Sequence, residues 1–411
     1  MKTYDIIIIG GGASGMAAAV MAVREGYSVA IAERQARVGK KLLSTGSGTC
    51  NLTNLSLSPN NFHSAKGDAK AFVTPALKSF NTENIRAFFE SVGVLTESDE
   101  RGRIYPVCRS AAAVLDCLRL SYLNGADEIT EFEVISVEKK RDLFCVKASD
   151  GRELYGKIVI TAVGGAASPN LGGREKTHRI LEMYNVKAEK QFPCVTSLKA
   201  DTTFIRAMKG LRVTAKITLT HKDKPVAQST DELLFTENGL SGPAAFFVSR
   251  EASRLYEAGE KEVVAHIDFL CGKDAFSLIL QRRELDRNVD ELLTGLFQKR
   301  VGQTLLRYSK VESANRKTSD LTDNEVKRIA EAVSDFKTSV YGTNGMKDAQ
   351  VTAGGVSLSE VDPYTFELKK QKGIYVTGEM LDIDGDCGGY NLSFAFASAF
   401  LAVKSIKERL K

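Results

Sequence analysis

Three short stretches of the chain have residue types and spacings suited to holding a long, phosphate-bearing ligand. The first is Gly10-x-Gly12-x-x-Gly15, which follows the apolar run Ile6 to Ile9. Gly10 permits a tight turn, Gly12 lets the backbone approach a pyrophosphate, and Gly15 lets a helix lie close to the preceding strand. The helix opening there, with Ala13 and Ser14 in its first turn, offers amide donors and the positive end of its dipole to phosphates. A second strand, "SVAIAE", ends on Glu33, at the distance where a carboxylate binds ribose hydroxyls. Strand, turn, helix, strand and acid in that order make a dinucleotide half-site, and leave open whether the ligand is FAD or NAD.

Three later features argue for FAD. "RQARVGKKLL" and then "STGSGTCNLTN" (Ser44 to Asn54) follow Glu33 where a direct return to another strand would be expected. The second of these is rich in hydroxyls, glycine and amide side chains and buries almost no apolar area, so stability alone does not explain it. "GKIVITAVGGAASP" reads as a strand ending in a glycine-rich turn at Ala162 and Gly164. Near the C-terminus, a strand leads through Gly378, Glu379 and an acidic loop to Gly388-Gly389 and a helix opening at about Asn391. A second helix N-terminus suits the polar edge of a flavin ring, which carries negative charge at N1 and C2=O when reduced.

The elements that position these stretches belong to an α/β protein. At 411 residues the chain is too long for one ordinary core. We expect a Rossmann-like FAD-binding domain, residues 1–191 and 342–411, with an inserted β-rich domain, 192–272, and a small helical subdomain, 273–341. "VTAKITLTHKDKPVAQSTDELLF" and "EVVAHIDF" alternate as antiparallel strands, with a turn at Lys222-Asp223-Lys224-Pro225. From Asp274 to about Phe336 the apolar spacing is helical, and Thr322 with Glu325 forms a capping box. "TENGLSGPA" lies between a strand and a helix of the insert, and its glycines serve either a substrate pocket or a turn. Ser56 to Lys70 reads as a mobile polar surface loop.

No apolar run approaches the roughly 18 residues of a membrane helix, so a cytoplasmic protein without a membrane segment is expected. Seven scattered cysteines with no CxxC pair indicate neither a disulfide framework nor a structural metal. The net charge of +5 is mild and its basic residues are interleaved with acids, which suits a small anionic ligand and argues against nucleic acid.

The motif order resembles the two-dinucleotide-binding flavoproteins, and more narrowly the bacterial BaiN-like family of NAD(P)/FAD-dependent, aminoacetone oxidase-like oxidoreductases. "GGGASG", "GKKLLSTGSGTCNLTN", "LLFTENGLSGPA", "VTAGGVSLSEVDP" and "GEMLDIDGDCGGYNLSFAFASA" carry the resemblance, from residue 10 to about residue 399. It implies FAD held by Gly10, Gly12, Ser14 and Gly15 at the pyrophosphate and by Glu33 with Arg34 at the adenosine ribose. Lys40, Lys41, Leu42 and the polar stretch with Gly46, Cys50 and Asn51 would border the cofactor, the lysines offsetting pyrophosphate charge. Val134, on the strand "FEVISV", matches the position whose backbone meets the adenine edge. Glu379, Asp386 and the run Gly388-Gly389-Tyr390-Asn391-Leu392 would sit by the ribityl chain and flavin ring. Glutathione-reductase-type enzymes place a redox disulfide near Cys50, but the second cysteine they need falls here on Leu55; Cys50 is then a flavin neighbour or a reactive thiol.

The resemblance implies an FAD-dependent oxidoreductase. NADH or NADPH would bind transiently to reduce the flavin, and hydride would pass from N5 to an organic acceptor such as the conjugated C=C of a 3-oxo bile acid. An amine oxidase forming hydrogen peroxide and a tRNA-associated flavoprotein are the alternatives. No residue stands out as catalytic; His63, His178, His221 and His266 are isolated and read as structural or surface groups. The flavin carries the hydride chemistry, so a missing acid–base motif does not argue against an enzyme.

Overall fold

Four consecutive isoleucines can all be buried only in a strand covered on both faces. In the computed structural model, which describes residues 2–411, Ile6 to Ile9 lie in Thr3–Ile9, at the centre of a mainly parallel sheet. Val29–Ala32 and Glu153–Thr161 flank this strand, both parallel to it, and Ala126–Ile129 continues the sheet beyond Val29–Ala32. Glu153–Thr161 has two further neighbours along its length: antiparallel Leu143–Ala148 at its start and parallel Ile374–Val376 at its end. Val134–Lys140 pairs antiparallel with Leu143–Ala148.

The first helix, Ala13–Arg24, is alanine-rich, and Ala17, Ala18, Ala19 and Ala22 are fully buried. It packs against the C-terminal helix, Tyr390–Leu410. Phenylalanines fasten that helix to two others: Phe400 stacks on Phe80 with centroids 4.6 Å apart, and Phe396 meets Phe89 edge-on at 5.0 Å. Such ring pairs each contribute about 1 kcal/mol beyond their buried area.

The chain divides into two compact units, one running from the N-terminus to Pro193 together with Ala349–Lys411, the other Cys194–Asp348. The second contains a closed barrel in the order Leu198–Ala200, Gly239–Ser241, Lys224–Phe235, Arg212–His221, Val263–Asp268, Phe336–Thr343. Lys222 and Asp223 take φ of 49° and 61°, making the two-residue turn whose twist suits a hairpin. The helices Ala275–Arg283, Lys299–Tyr308 and Asp323–Ser334 follow. Residues 273–341 are therefore not helical throughout: "FKTSVYGT" alternates buried and exposed positions and returns as a barrel strand.

A second difference concerns Ser56 to Lys70. Phe62–His63 pairs with Asp384–Gly385. The buried Asp382 carboxylate accepts from Ser64 Oγ and from the N–H groups of Ala65 and Lys66. Part of the segment is thus fixed by bonds to a buried acid, while Ala65 to Asp68 remain exposed. Among the described residues no helix is long and apolar enough to cross a membrane.

Thr322 caps Asp323–Ser334 by accepting from Glu325 N–H at 3.3 Å, while the Glu325 carboxylate accepts from Thr322 N–H at 2.9 Å. Thr322→Ala is expected to lower stability by about 1 kcal/mol, read as a lower urea midpoint with an unchanged m-value. The Arg316 guanidinium, followed by the Thr322 N–H, holds the Glu325 carboxyl down at about 2 against an ordinary 4.5. Its contribution is therefore complete above the unfolded value and disappears as pH falls toward about 2, which an acid titration of unfolding would follow.

Candidate dinucleotide site

The three glycines of the first turn differ in what surrounds them. A Cβ on Gly10, whose φ is +101°, would stand 2.5 Å from the Ala162 carbonyl oxygen, and one on Gly15 would stand 2.0 Å from that of Gly10. Gly12 has nothing within 4 Å of that position. Gly10 and Gly15 are required by packing, whereas Gly12 faces open space at the N-cap of Ala13–Arg24, where no side chain caps the helix. The free N–H groups of this first turn are the donors an anion needs.

Glu33 lies against the same turn. Its Oε2 accepts from Gly11 N–H and its Oε1 from Gln35 N–H, both at 2.8 Å. Each oxygen retains a lone pair for a diol. The Glu33 carbonyl accepts from Phe132 N–H at 2.9 Å, which brings the start of Val134–Lys140, and so Val134, to this edge. Ala162 N–H donates to Ile9 O at 2.8 Å, and Gly164, with φ of +73°, again faces open space.

The polar stretch is tied to the C-terminal loop. Asn54 Nδ2 donates to the Gly388 carbonyl at 3.0 Å. Asn51, with its amide turned so that both ends are satisfied, donates to Thr53 O at 3.0 Å and accepts from Gly389 N–H at 3.1 Å. Ser393 Oγ donates to Thr53 Oγ1 at 2.8 Å. Gly389 has φ of +99°, and a Cβ there would lie 2.6 Å from Thr53 O. The helix Tyr390–Leu410 starts from this glycine with no side-chain cap, a second open N-terminus in the same unit.

Other expected contacts fall elsewhere. Lys41 Nζ lies 2.6 Å from Glu379 Oε2, whose Oε1 accepts from Thr352 N–H at 2.8 Å. Lys40 Nζ donates to Gln35 Oε1 at 3.2 Å, and Arg34 Nη2 to Gly172 O at 3.1 Å. Of these cations only Lys41 is neutralised by a carboxylate; Lys40 and Arg34 are held by neutral oxygens and keep their charge beside the open helix terminus. Ser14 Oγ donates to Thr377 Oγ1 at 2.8 Å beside Gly378. Asn391 turns inward: its Oδ1 accepts from Gly385 N–H and its Nδ2 donates to Gly385 O, both at 2.8 Å. Tyr390 is buried edge-on to Phe62, Leu392 packs on the core beside it, and Leu42 is buried, with Thr45 Oγ1 bonded to its carbonyl. Gly46, with φ of +56°, makes the bend that follows.

Cys50 is fully buried, and burial pushes its thiol up to about 11. A reactive thiolate there is disfavoured. His63, read from sequence as structural, has its Nε2 2.8 Å from Asp386 Oδ1. No local signal could have shown this, because the two residues are 323 apart and meet only through the pairing of Phe62–His63 with Asp384–Gly385.

A glycine turn after a buried parallel strand, an acid fixed beneath it and two open helix N-termini define a Rossmann-type dinucleotide-binding protein, and the set fits a ligand with a pyrophosphate and a ring that gains negative charge. The HI0933-like protein Rossmann domain family matches residues 4–405, and the chain belongs to that family. It is 34% identical over 98% of its length, and 98% of the relative's, to the 3-dehydro-bile acid delta(4,6)-reductase of Clostridium scindens. It is 27% identical over 99% of its length, and 98% of the relative's, to the ribosomal RNA dihydrouridine synthase of Escherichia coli. In fold it is similar to the 3-ketosteroid-delta4-(5alpha)-dehydrogenase of Rhodococcus jostii, with 13% identity, a TM-score of 0.51, and coverage of 98% of this chain and 97% of that one.

Two outcomes are expected. Gly389→Ala forces a side chain into the left-handed region against Thr53 O, at a cost of about 1–2 kcal/mol, or roughly tenfold weaker retention of FAD measured by flavin absorbance after dialysis. Iodoacetamide should modify the exposed Cys108 and Cys271 of the native protein and leave Cys50 unmodified until denaturant is added, as read by peptide mass mapping.

Proposed function

We propose that this protein, an FAD-dependent oxidoreductase, saturates a carbon–carbon double bond conjugated to a carbonyl. The observation that carries the proposal is the open N-terminus of Tyr390–Leu410, braced by Asn51, Thr53 and Asn54. It offers positive potential where a reduced flavin gains negative charge. Gly10, Gly12, Ala13, Ser14 and Gly15 would hold the pyrophosphate, Glu33 the adenosine ribose and Val134 the adenine edge, with Gly388, Gly389 and Tyr390 by the ring. When bound, FAD supplies a hydride at N5.

The acceptor is inferred from the relatives. A 3-dehydro-bile acid delta(4,6)-reductase acts, by its name, on double bonds near a 3-keto group. A dihydrouridine synthase, by its name, saturates uracil, whose C5=C6 bond is conjugated with C4=O. Both names describe related chemistry, the addition of hydride to the electron-poor end of a C=C conjugated with a carbonyl (the β carbon of an enone or of uracil, the δ carbon for a delta-6 bond) and of a proton to its neighbour. A 3-oxo steroid is the first acceptor class, because the relative bearing that name has the higher identity. Uracil within RNA is the second reading, favoured by the E. coli relative's match along almost the whole chain. NADH or NADPH, bound transiently in the cytoplasm, would be the electron source.

Under anaerobic conditions NADH or NADPH is expected to bleach the flavin, and an added 3-oxo-4-ene steroid to restore its colour with a product two mass units heavier. Bleaching without reoxidation by the steroid, together with salt-sensitive RNA binding, would favour the second reading. Peroxide formed in proportion to a consumed amine, with no bleaching by either nucleotide, would overturn both.

A further inference from the structure

Conjugate reduction needs a proton as well as a hydride. Within the first unit, His63 is a titratable group to which the cofactor-binding scheme gives no part, and it meets Asp386, the acid expected beside the flavin ring. His63 Nε2 lies 2.8 Å from Asp386 Oδ1, and Asp386 is three positions ahead of Gly389, the N-cap of Tyr390–Leu410.

Both partners are held on rigid supports. Asp386 N–H donates to Asn61 O at 2.9 Å, and Asn61 Nδ2 reaches Asp386 Oδ2 at 3.4 Å. Gly385, just before the acid, is bonded on both its N–H and its carbonyl to the Asn391 side chain. On the histidine side, Phe62–His63 is paired with Asp384–Gly385, and the next three residues are anchored on buried Asp382. The exposures of the two side chains are unequal: 13% for Asp386 and 37% for His63. The carboxylate is set back while the imidazole presents an edge outward, and with Nε2 engaged by Asp386 that edge carries Nδ1. A carboxylate on one ring nitrogen fixes the ring's orientation.

We propose that His63, oriented by Asp386, is the proton donor of the reaction, a proposal that rests on the reading of the protein as a conjugate reductase. Bound reduced flavin would supply the hydride at the β carbon, which leaves an enolate to be protonated. The Nδ1–H bond of the His63 imidazolium then breaks, the enolate electron pair forms a C–H bond at the α carbon, and neutral imidazole remains. Solvent reprotonates the ring through its exposed edge. Asp386 is a positioning residue, which holds the ring through Nε2.

The test uses the holoenzyme, reduced with dithionite so that no nicotinamide donor is needed. Reoxidation of the flavin is followed after mixing with cyclohex-2-enone, 4-androstene-3,17-dione, a 3-oxo-4,6-diene steroid or uridine, and separately with ferricyanide, which accepts electrons without protonation at carbon. His63→Gln is expected to slow reoxidation by the accepted enone by about 100-fold or more, the scale of a lost general acid. Its flavin spectrum and its reaction with ferricyanide should match wild type. His63→Ala is expected to regain enone-dependent reoxidation with added imidazole, and Asp386→Asn to fall between wild type and His63→Ala. Asp386→Asn leaves the histidine in place, so its intermediate enone rate is a readout that holds even if His63→Gln fails to retain flavin. Equal enone rates in wild type and His63→Gln, equal enone rates in wild type and Asp386→Asn, or no rescue of His63→Ala by imidazole would overturn the proposal and leave the functional reading intact. A wild-type enzyme that no acceptor of the panel reoxidises would remove the functional reading, and this proposal with it.

Discussion

The candidate site depends on the contact between Gly388-Gly389 and the segment Asn51–Asn54. An open helix N-terminus is useful only if its first turn is held still, and a glycine pair is the least able of all sequences to hold itself still. The structure supplies the missing order from outside. Asn54 bonds the Gly388 carbonyl, Asn51 receives the Gly389 N–H, and Thr53 takes the Ser393 hydroxyl. Gly389 could carry no Cβ, because Thr53 O already occupies that space. The amides and hydroxyls that contribute no hydrophobic stability at Ser44 to Asn54 thus have a mechanical task. They convert a flexible glycine loop into a fixed donor edge.

The same economy governs charge. The side-chain cations nearest the glycine turn are committed to protein partners: Lys41 to Glu379, Lys40 to Gln35 and Arg34 to a backbone carbonyl. What faces a bound anion is backbone N–H at two helix starts. Such donors are fixed in direction and need no reordering of a long side chain when a ligand arrives, so less binding energy is lost to entropy. Cys50 adds no charge, since its burial keeps the thiol protonated. The fixed donors of the backbone thus stand beside side-chain cations whose positions are set by protein partners.

Local signals made much of this readable in the sequence. The Ile6 to Ile9 run, the glycine spacing and Glu33 each act over a few residues, and the fold places them as that spacing implies. The capping box at Thr322 and the hairpin at Lys222-Asp223 are local in the same sense. Phe336–Thr343 was grouped with the helices because it follows them directly, although its own period of two marks a strand. Ser56 to Lys70 was read as mobile because polarity alone does not distinguish a solvated segment from one bonded to a buried carboxylate. The Asn391 side chain is bonded to the backbone of Gly385, a choice between nearby polar targets that composition does not determine.

His63 is the clearest case of what remains invisible along one dimension. A lone histidine in a polar segment has no motif, and an aspartate in an acidic loop has none either. Only the two-residue pairing of Phe62–His63 with Asp384–Gly385 turns them into a unit. A protein whose cofactor performs the redox step needs little from its side chains beyond placement and one proton, so it requires no nucleophile and no paired carboxylates at readable spacing. The chemistry specific to the chain is then concentrated where two distant segments touch. In this fold those contacts, Asn51–Asn54 on the glycine pair and His63 on Asp386, both converge on the few residues that precede the C-terminal helix.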